Sequence, residues 1–247
     1  MDSLSFITDI CGALKKIKRT GWVMRQIPLP ESDADHMHRC AMCAMLLSQP
    51  PDPRDDYSTP DTDKFHPQKV NQARLLRMAV THDVCEALAG DITPFCDPSV
   101  VASKHDKEDQ AMQAIKQVVG DLLGQELYSL WAEYEAGETI EALYCKDIDK
   151  FEMVVQAFEY EKEHLKPLQV GDATADTVAK SHGTTVPPVF DEPLRRFFIT
   201  TNAVIKSPLF RRLDVELRQR RETMLKERGW TVTAEERQKS RKRSLTE

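Results

Sequence analysis

The chain has 247 residues, a formal net charge of −6 and 40% hydrophobic residues. This length suits one large domain, or one domain with extensions, and the apolar content is sufficient for a core. No stretch approaches the roughly 20 apolar residues that a membrane span needs. The N-terminal stretch MDSLSFITDICGALKK has no basic leader, which argues against a secretory signal. We therefore predict a cytoplasmic protein without membrane contact, with a nuclear location left open.

The charge is unevenly distributed along the chain. Residues 211–247 carry a net charge of +5, so the remainder carries −11. An acidic body argues against broad nucleic-acid binding. The basic segment is typical of a solvated terminal helix, and contact with RNA or an acidic partner is the alternative. Six cysteines scattered through apolar helical contexts indicate reduced thiols.

Apolar residues recur at helical spacing, and alternating strand patterns are nearly absent. A first helix is predicted over Leu4–Ile17, behind a capping Asp2-Ser3. A second is predicted from about Asp33 to Ser48, behind a capping box in which Asp replaces Glu. Residues 49–69 are rich in Pro and Asp and predict a surface loop or a disordered insert.

The remaining pattern predicts five more helices. One should run from just after Pro67 to about Ala89, with Gly90 as its cap. The others are predicted over 103–119, 121–136, 138–164 and about 193–229, the last with a bend at Ser207-Pro208. Residues 170–192 form a second irregular insert. We predict an all-α fold, with a body over residues 1–210 and a basic helical extension over 211–247.

The stretch THDVCEALAGD, residues 81–91, places His82, Asp83, Glu86 and Asp91 around one predicted helix end. An imidazole and a carboxylate together suit divalent Mn, Co, Fe, Ni or Zn. Two ligands are not enough, and His36 and Asp149 on other predicted helices are available as further ligands. The alternatives are a surface His-Asp pair and a salt-bridged Asp149. The CxxC of Cys40 and Cys43 lies in an apolar helix, where packed thiols are favoured over zinc binding.

The ordered set His36, His82-Asp83 and Asp149 resembles the H…HD…D pattern of the HD-domain metal-dependent phosphohydrolases. Four stretches are further similar to the HDDC2/YfbR group of 5′-deoxynucleotidases: RTGWVMR, PESDADHMHR, HDVCEALAGDI and KDIDKFEMVVQAFEYE. The similarity covers about residues 4–165. It implies an HD-domain helical bundle with a metal site between helices.

The resemblance also implies roles for individual residues. Four of them would ligate one divalent cation: His36, His82, Asp83 and Asp149. The cation would be Mn, Co or Mg, with Zn, Ni or Fe as alternatives. Glu86 matches the catalytic glutamate, and a second cation would be held by Glu86, Asp91 and the main chain of Ile92. The nucleotide would contact Arg19, Trp22 and Asp91, although Thr20-Gly21 separates an Arg-Trp pair that is adjacent in bacterial relatives.

The function implied is metal-dependent hydrolysis of deoxyribonucleoside 5′-monophosphates to deoxynucleosides and phosphate. The resemblance favours a homodimer, and no nucleic-acid partner is expected. One alternative is a non-catalytic nucleotide- or metal-binding module that recruits a partner through residues 211–247. Another is a phosphohydrolase that acts on a different small phosphate ester or on a cyclic nucleotide.

Overall fold

The computed structural model describes residues 2–168 and 190–237. Extended pairing within these residues is limited to two isolated bridges, so the all-α prediction is confirmed. The α-helices are α1 Ser3–Ser5, α2 Cys11–Leu14, α3 Thr20–Val23, α4 Asp33–Met45, α5 Pro60–Asp63, α6 Gln72–Thr81, α7 Glu86–Ala89, α8 Pro98–Ala102, α9 Lys104–Val119, α10 Asp121–Ala136, α11 Ile140–His164, α12 Arg195–Thr200, α13 Pro208–Glu227 and α14 Ala234–Arg237.

The chain divides into two compact units, Met1–Asp149 and Lys150–Glu247. The expected division at residue 210 stays a prediction. Every helix among the described residues is too short or too polar to cross a membrane.

The core of the first unit lies where α9 packs against α10 and α7. Helices α4 and α6 form a second close pair. The buried apolar side chains come from the N-terminal segment, α4, the turn between α6 and α7, α9 and α10. They are Ile10, Leu14, Met37, Val84, Cys85, Ala111, Met112, Ile115, Val119, Leu127 and Trp131. Burying such side chains supplies most of the favourable free energy of folding.

The N-terminal helix is shorter and less regular than its spacing predicts. Asp2 caps it by accepting a hydrogen bond from the Ser5 amide, as expected. A π-helical turn over Phe6–Ile10 follows α1, and α2 ends at Leu14, so Ile17 lies outside. The π-turn adds a residue to the helical repeat. The predicted apolar stripe is therefore split, and Ile7 is exposed whereas Leu14 is buried.

Helix α4 begins where the sequence predicts. The Ser32 hydroxyl accepts a hydrogen bond from the Asp35 amide, and the Asp35 carboxylate accepts one from the Ser32 amide. This reciprocal capping fixes the first turn of α4. The α-helix ends at Met45, and a 3₁₀ turn over Leu46–Ser48 completes the predicted length.

Residues 49–69 form a surface segment of loops and short helical turns, which agrees with the first of the two predicted alternatives. Thr59 caps α5, and a 3₁₀ turn covers Pro67–Lys69. Phe65 is buried, and its carbonyl accepts a hydrogen bond from the hydroxyl of Tyr144. One buried aromatic ring therefore anchors a segment whose composition is otherwise that of a loop.

The helix predicted between Pro67 and Ala89 is broken, and the prediction of one continuous helix is wrong. Helix α6 ends at Thr81 and α7 begins at Glu86. Between them the Val84 amide donates to the Thr81 carbonyl at 3.0 Å, the short spacing of a tight turn. The His82 ring reaches back to the Ala79 carbonyl, with Nδ1 at 3.1 Å. Gly90 ends α7 at φ +78°, a conformation that glycine adopts without strain.

The second unit also departs from the prediction. The single helix expected over about 193–229 is two helices, α12 and α13. Ala203 between them has φ +57°, and Pro208 opens α13 at a position that needs no amide donor. Most of the 170–192 insert lies outside the described residues.

A buried ion-pair network holds the second unit together. Arg221 Nε lies 2.6 Å from a Glu161 carboxylate oxygen, and Arg221 Nη1 lies 2.7 Å from a Glu236 oxygen. All three side chains are nearly fully buried. Such pairs persist only where each charge is compensated, so this network links α11, α13 and α14.

Gly124 marks the close approach of α9 and α10 and generates a prediction. A Cβ at Gly124 would lie 2.6 Å from Lys116 Cγ and 2.7 Å from Lys116 Cα, whereas a Cβ at Gly12 would meet nothing within 4 Å. We expect Gly124→Ala to lower the free energy of unfolding by about 1–3 kcal/mol through overpacking. We expect the matched control Gly12→Ala to raise it by up to about 1 kcal/mol. Urea unfolding followed by circular dichroism measures both, and equal effects would contradict the close approach.

Candidate active site

Arg19 lies at the centre of the candidate site. Its amide donates to the Glu31 carbonyl at 3.1 Å, which pins the segment before α3 alongside the start of α4. One guanidinium nitrogen, Nη1, then faces carboxylates from three parts of the chain. The distances are 3.0 Å to Asp83, 3.2 Å to Glu86, 3.7 Å to Asp91 and 3.8 Å to Asp33.

The four predicted metal ligands converge next to this guanidinium. His36 Nε2 lies 3.5 Å from an Asp149 oxygen and 3.7 Å from Asp83 Oδ2. His82 Nε2 lies 3.4 Å from the same Asp83 oxygen. The two imidazole centroids are 5.5 Å apart, and both rings are about 1% exposed. Side chains from α4, the 82–85 turn and α11 thus meet in one buried place.

Asp149 and His82 are held by a residue that the sequence reasoning missed. The Tyr134 hydroxyl donates to Asp149 Oδ2 at 3.2 Å, and the Tyr134 ring lies 5.0 Å from the His82 ring. Tyr134 projects from α10, which carries no other predicted site residue. Nothing in the local sequence separates this tyrosine from an ordinary core aromatic.

Cys40 also faces the site. Its Sγ lies 3.6 Å from His36 Nε2, one helical turn further along α4. Ligand atoms of Cys40, His36 and His82 all lie within 4.8 Å of one another. Cys40 is fully buried and forms no disulfide, as the prediction of a packed thiol requires. Its position beside two imidazoles was not foreseen, although its four-residue spacing from His36 places both on one helix face.

Glu86 and Asp91 lie near Asp83 and face the Arg19 guanidinium. Asp91 accepts a hydrogen bond from the Thr20 amide at 2.6 Å, and its carbonyl accepts one from the Thr20 hydroxyl at 2.7 Å. These bonds tie the loop after α7 to the start of α3. Glu86 is buried, and burial together with the nearby Asp83 charge raises its pKa well above the usual range, despite the opposing effect of Arg19.

Asp33 is a second residue that the sequence reasoning missed. Its oxygens lie within 4.8 Å of those of Glu86 and Asp91. Burial raises the pKa of Asp33 to about 7; the Arg19 charge opposes this shift, and the carboxylates of Asp91 and Asp83 add to it. In the sequence, Asp33 reads as an ordinary acid in the first turn of a capped helix, so only the tertiary structure reveals its position.

Trp22, predicted to contact the substrate, and Ile92, predicted to hold a second cation through its main chain, have defined positions outside the ligand cluster. Trp22 is 3% exposed, and its indole nitrogen donates to Glu31 at 2.7 Å. That bond stabilises the turn that carries Arg19. Ile92 is buried directly after Asp91. Contacts of Trp22 and Ile92 with a nucleotide or a cation stay predictions.

The chain was compared with known proteins. The family described as HD domain matches residues 11–186. The chain belongs to the HD domain family. A 5′-deoxynucleotidase HDDC2 from Xenopus laevis is 39% identical over 178 residues, which is 72% of this chain and 79% of the relative. A protein of the same name from Dictyostelium discoideum is 36% identical over 208 residues, 84% of this chain and 93% of the relative.

A solved structure supports the fold of this HD-domain protein. It is described as a predicted metal-dependent phosphohydrolase from Magnetospirillum magnetotacticum, and it matches with a TM-score of 0.56. The match covers 93% of this chain and 94% of that one, at 23% identity. At that identity the comparison bears on the fold alone.

The residues of this HD domain fit a divalent metal. Nε2 of the buried His82 has no hydrogen-bond partner among the described residues, although Nδ1 is engaged by the Ala79 carbonyl. A ring fixed through Nδ1 presents Nε2 as a ligand. Burial lowers the pKa of His82, which keeps its ring neutral, the form that binds metals. Imidazole and carboxylate donors together are typical of divalent transition-metal sites.

In the metal-free protein, the free energy of unfolding should decrease as pH rises. The pKa values of Asp33 and Glu86 are raised above their ordinary values of 3.8 and 4.5, so the native chain holds protons that the unfolded chain has lost. That stabilisation is lost as pH rises through the raised native pKa values. We expect the melting temperature of chelator-treated protein to fall between pH 6.5 and pH 8.

The matched sample is the same protein saturated with Mn²⁺. Protons would compete with a cation that binds at Asp33 and Glu86, so the stabilisation by Mn²⁺ should grow over the same pH range. Calorimetric titration in two buffers of different ionisation enthalpy should show protons released on Mn²⁺ binding. A metal-free melting temperature that rises with pH, together with no proton release, would contradict the protonated site.

Proposed function

We propose that this chain is a metal-dependent 5′-deoxynucleotidase that hydrolyses deoxyribonucleoside 5′-monophosphates to deoxynucleosides and phosphate. The observation that carries the proposal is the buried convergence of His36, His82, Asp83 and Asp149, with Glu86 and Arg19 directly beside them. The relatives named 5′-deoxynucleotidase, which match over most of their length, support the reaction class.

The four converging side chains would hold the cation, which is Mn, Co or Mg in the first instance and Zn, Ni or Fe as the alternative. When bound, such a cation neutralises charge on phosphoryl oxygens and lowers the pKa of a water ligand. Phosphate monoesters hydrolyse extremely slowly without catalysis, so charge neutralisation of this kind is what the reaction requires. The donors of Cys40 and the two histidines favour the transition metals over Mg.

Glu86 is suited to general acid catalysis. Burial raises the pKa of its carboxyl, and that direction favours the proton-bearing form that a general acid needs. Cleavage of the phosphorus–oxygen bond leaves an alkoxide on the 5′-oxygen, and a proton from Glu86 converts it to the neutral hydroxyl. Its position 3.2 Å from Arg19 Nη1 puts this proton beside the group suited to hold the phosphate.

Arg19 would bind and orient the phosphate, because its planar guanidinium can donate two parallel hydrogen bonds to a phosphoryl group. Trp22 would support that position or contact the nucleoside. Asp91 would accept a hydrogen bond from the 3′-hydroxyl, and a close wall there would exclude a 2′-hydroxyl. In its deprotonated form Glu86 is instead proposed to hold a second cation, together with Asp91 and the Ile92 carbonyl. Homodimer formation and a cytoplasmic location remain predictions, which light scattering and fractionation would test.

The substrate class is tested by phosphate release from deoxy and ribo 5′-monophosphates of each base. The protein is first stripped of metal and then given Mn²⁺, Co²⁺, Mg²⁺ or Zn²⁺. We expect release from the deoxynucleotides, with little from AMP. Equal release from ribonucleotides would keep the metal chemistry and remove the sugar selection. No release with any metal, from folded protein, would favour a non-catalytic binding module.

The metal ligands are tested with a matched pair of histidines on α4. His36 is buried in the site, whereas His38 is exposed two residues later. We expect His36→Ala to abolish turnover and to weaken metal binding by more than the ~10–100-fold that follows loss of residues that merely orient ligands. His38→Ala should leave metal content and turnover near the wild-type level. Full metal content in His36→Ala, measured by elemental analysis, would contradict the assignment.

A further inference from the structure

The first turn of α4 contains a buried acid that the proposed chemistry does not yet use. Asp33 is 0% exposed, and neither of its carboxylate oxygens has a hydrogen-bond partner among the described residues. A carboxylate in this environment is destabilised by its loss of hydration unless something compensates its charge. Its helix position does not require it, because the cap is formed by Ser32 and Asp35.

The Asp33 carboxylate is directed into an acidic cluster. One oxygen each from Asp33, Glu86 and Asp91 lies within 4.8 Å of the other two. Oxygen ligands about 2.1 Å from a shared ion lie roughly 3–4.2 Å apart, so oxygens within 4.8 Å of one another need only a small movement to bind one cation. The three acids come from α4, α7 and the loop after α7, so their convergence is a product of the tertiary fold.

The three carboxyl groups of the cluster and Asp83 all face one guanidinium nitrogen. Arg19 Nη1 is 3.8 Å from Asp33, too far for a hydrogen bond, while it lies 3.0 Å from Asp83. One guanidinium is therefore shared by four carboxylates. If Arg19 turns to a substrate phosphate, the charge of Asp33, Glu86 and Asp91 needs another cation.

We propose that Asp33 is a direct ligand of a second divalent cation, which it binds together with Glu86 and Asp91. The inference rests on the proposed function and adds to it a ligand that the motif pattern does not contain. All three donors are carboxylate oxygens, so the site suits a hard cation such as Mg²⁺ or Mn²⁺. The first site, with two imidazoles and a nearby thiol, suits softer ions.

Asp33→Asn tests the proposal because it keeps the shape of the side chain and removes its charge. The control is Asp106→Asn, which removes an exposed acid from the first turn of α9. Mn²⁺ binding is measured by calorimetry and by elemental analysis after equilibrium dialysis. We expect two Mn²⁺ per wild-type chain and per Asp106→Asn chain. In Asp33→Asn the second site should weaken by about 10-fold or more, with the first site unchanged.

Two results would overturn the proposal. One is an Asp33→Asn chain that binds two Mn²⁺ with unchanged affinity, as expected if Asp33 and Glu86 merely share a proton. The other is a wild-type chain that binds a single Mn²⁺. Failure of the proposed function is a separate result, because a chain that binds two Mn²⁺ but releases no phosphate from dAMP would leave this inference standing.

A second measurement uses the wild-type chain and does not depend on a variant. Crystals grown with Mn²⁺ are measured for anomalous scattering, which locates each bound ion directly. We expect a peak at roughly 2 Å from an Asp33 oxygen and from oxygens of Glu86 and Asp91. A peak at the histidines with none near Asp33 would overturn the proposal, even if Asp33→Asn does not fold.

Discussion

The balance between one guanidinium and four carboxylates dominates the structure of the site. Arg19 Nη1 lies within 3.8 Å of acids at positions 33, 83, 86 and 91. Such groups lose hydration when they are buried, and mutual attraction restores that loss only where opposite charges are matched. Here they are not matched, so the metal-free site carries excess negative charge. Burial raises the pKa values of Asp33 and Glu86, and protons bound there reduce this excess charge.

The tight turn over residues 82–85 places Asp83 between two groups of side chains, the histidines on one side and the carboxylates on the other. A continuous helix would present His82 and Asp83 about 100° apart on its surface. In the turn, His82 is fixed through Nδ1 and faces His36, while Asp83 Oδ2 lies near both imidazoles and Arg19. Asp83 thereby joins a nitrogen-rich side to an all-carboxylate side. Loss of helical hydrogen bonds at the turn is the structural cost of this arrangement.

Local signals in the sequence predicted the elements that local chemistry controls. The Ser32–Asp35 capping box and the glycine caps at 90 and 120 marked helix ends correctly, because each acts within a few residues. The break at 82–85 and the separation of α12 from α13 were missed, since tertiary contacts outweigh helical periodicity there. The positions of Tyr134 and Asp33 were missed for the same reason. Motif resemblance supplied the identities of the converging residues, and their distances came from the fold.

The chemistry of the two sides follows from their donors. His36, His82 and Cys40 offer nitrogen and sulfur, whereas Asp33, Glu86 and Asp91 offer oxygen alone. Under the proposed function, ions of different hardness would therefore prefer different sides of Asp83. A phosphate dianion would meet positive charge on each side only after the carboxylates had been neutralised. Arg19 would then leave the acids and bind the phosphate, so the residue that faces the four acids is also the one proposed to bind the substrate.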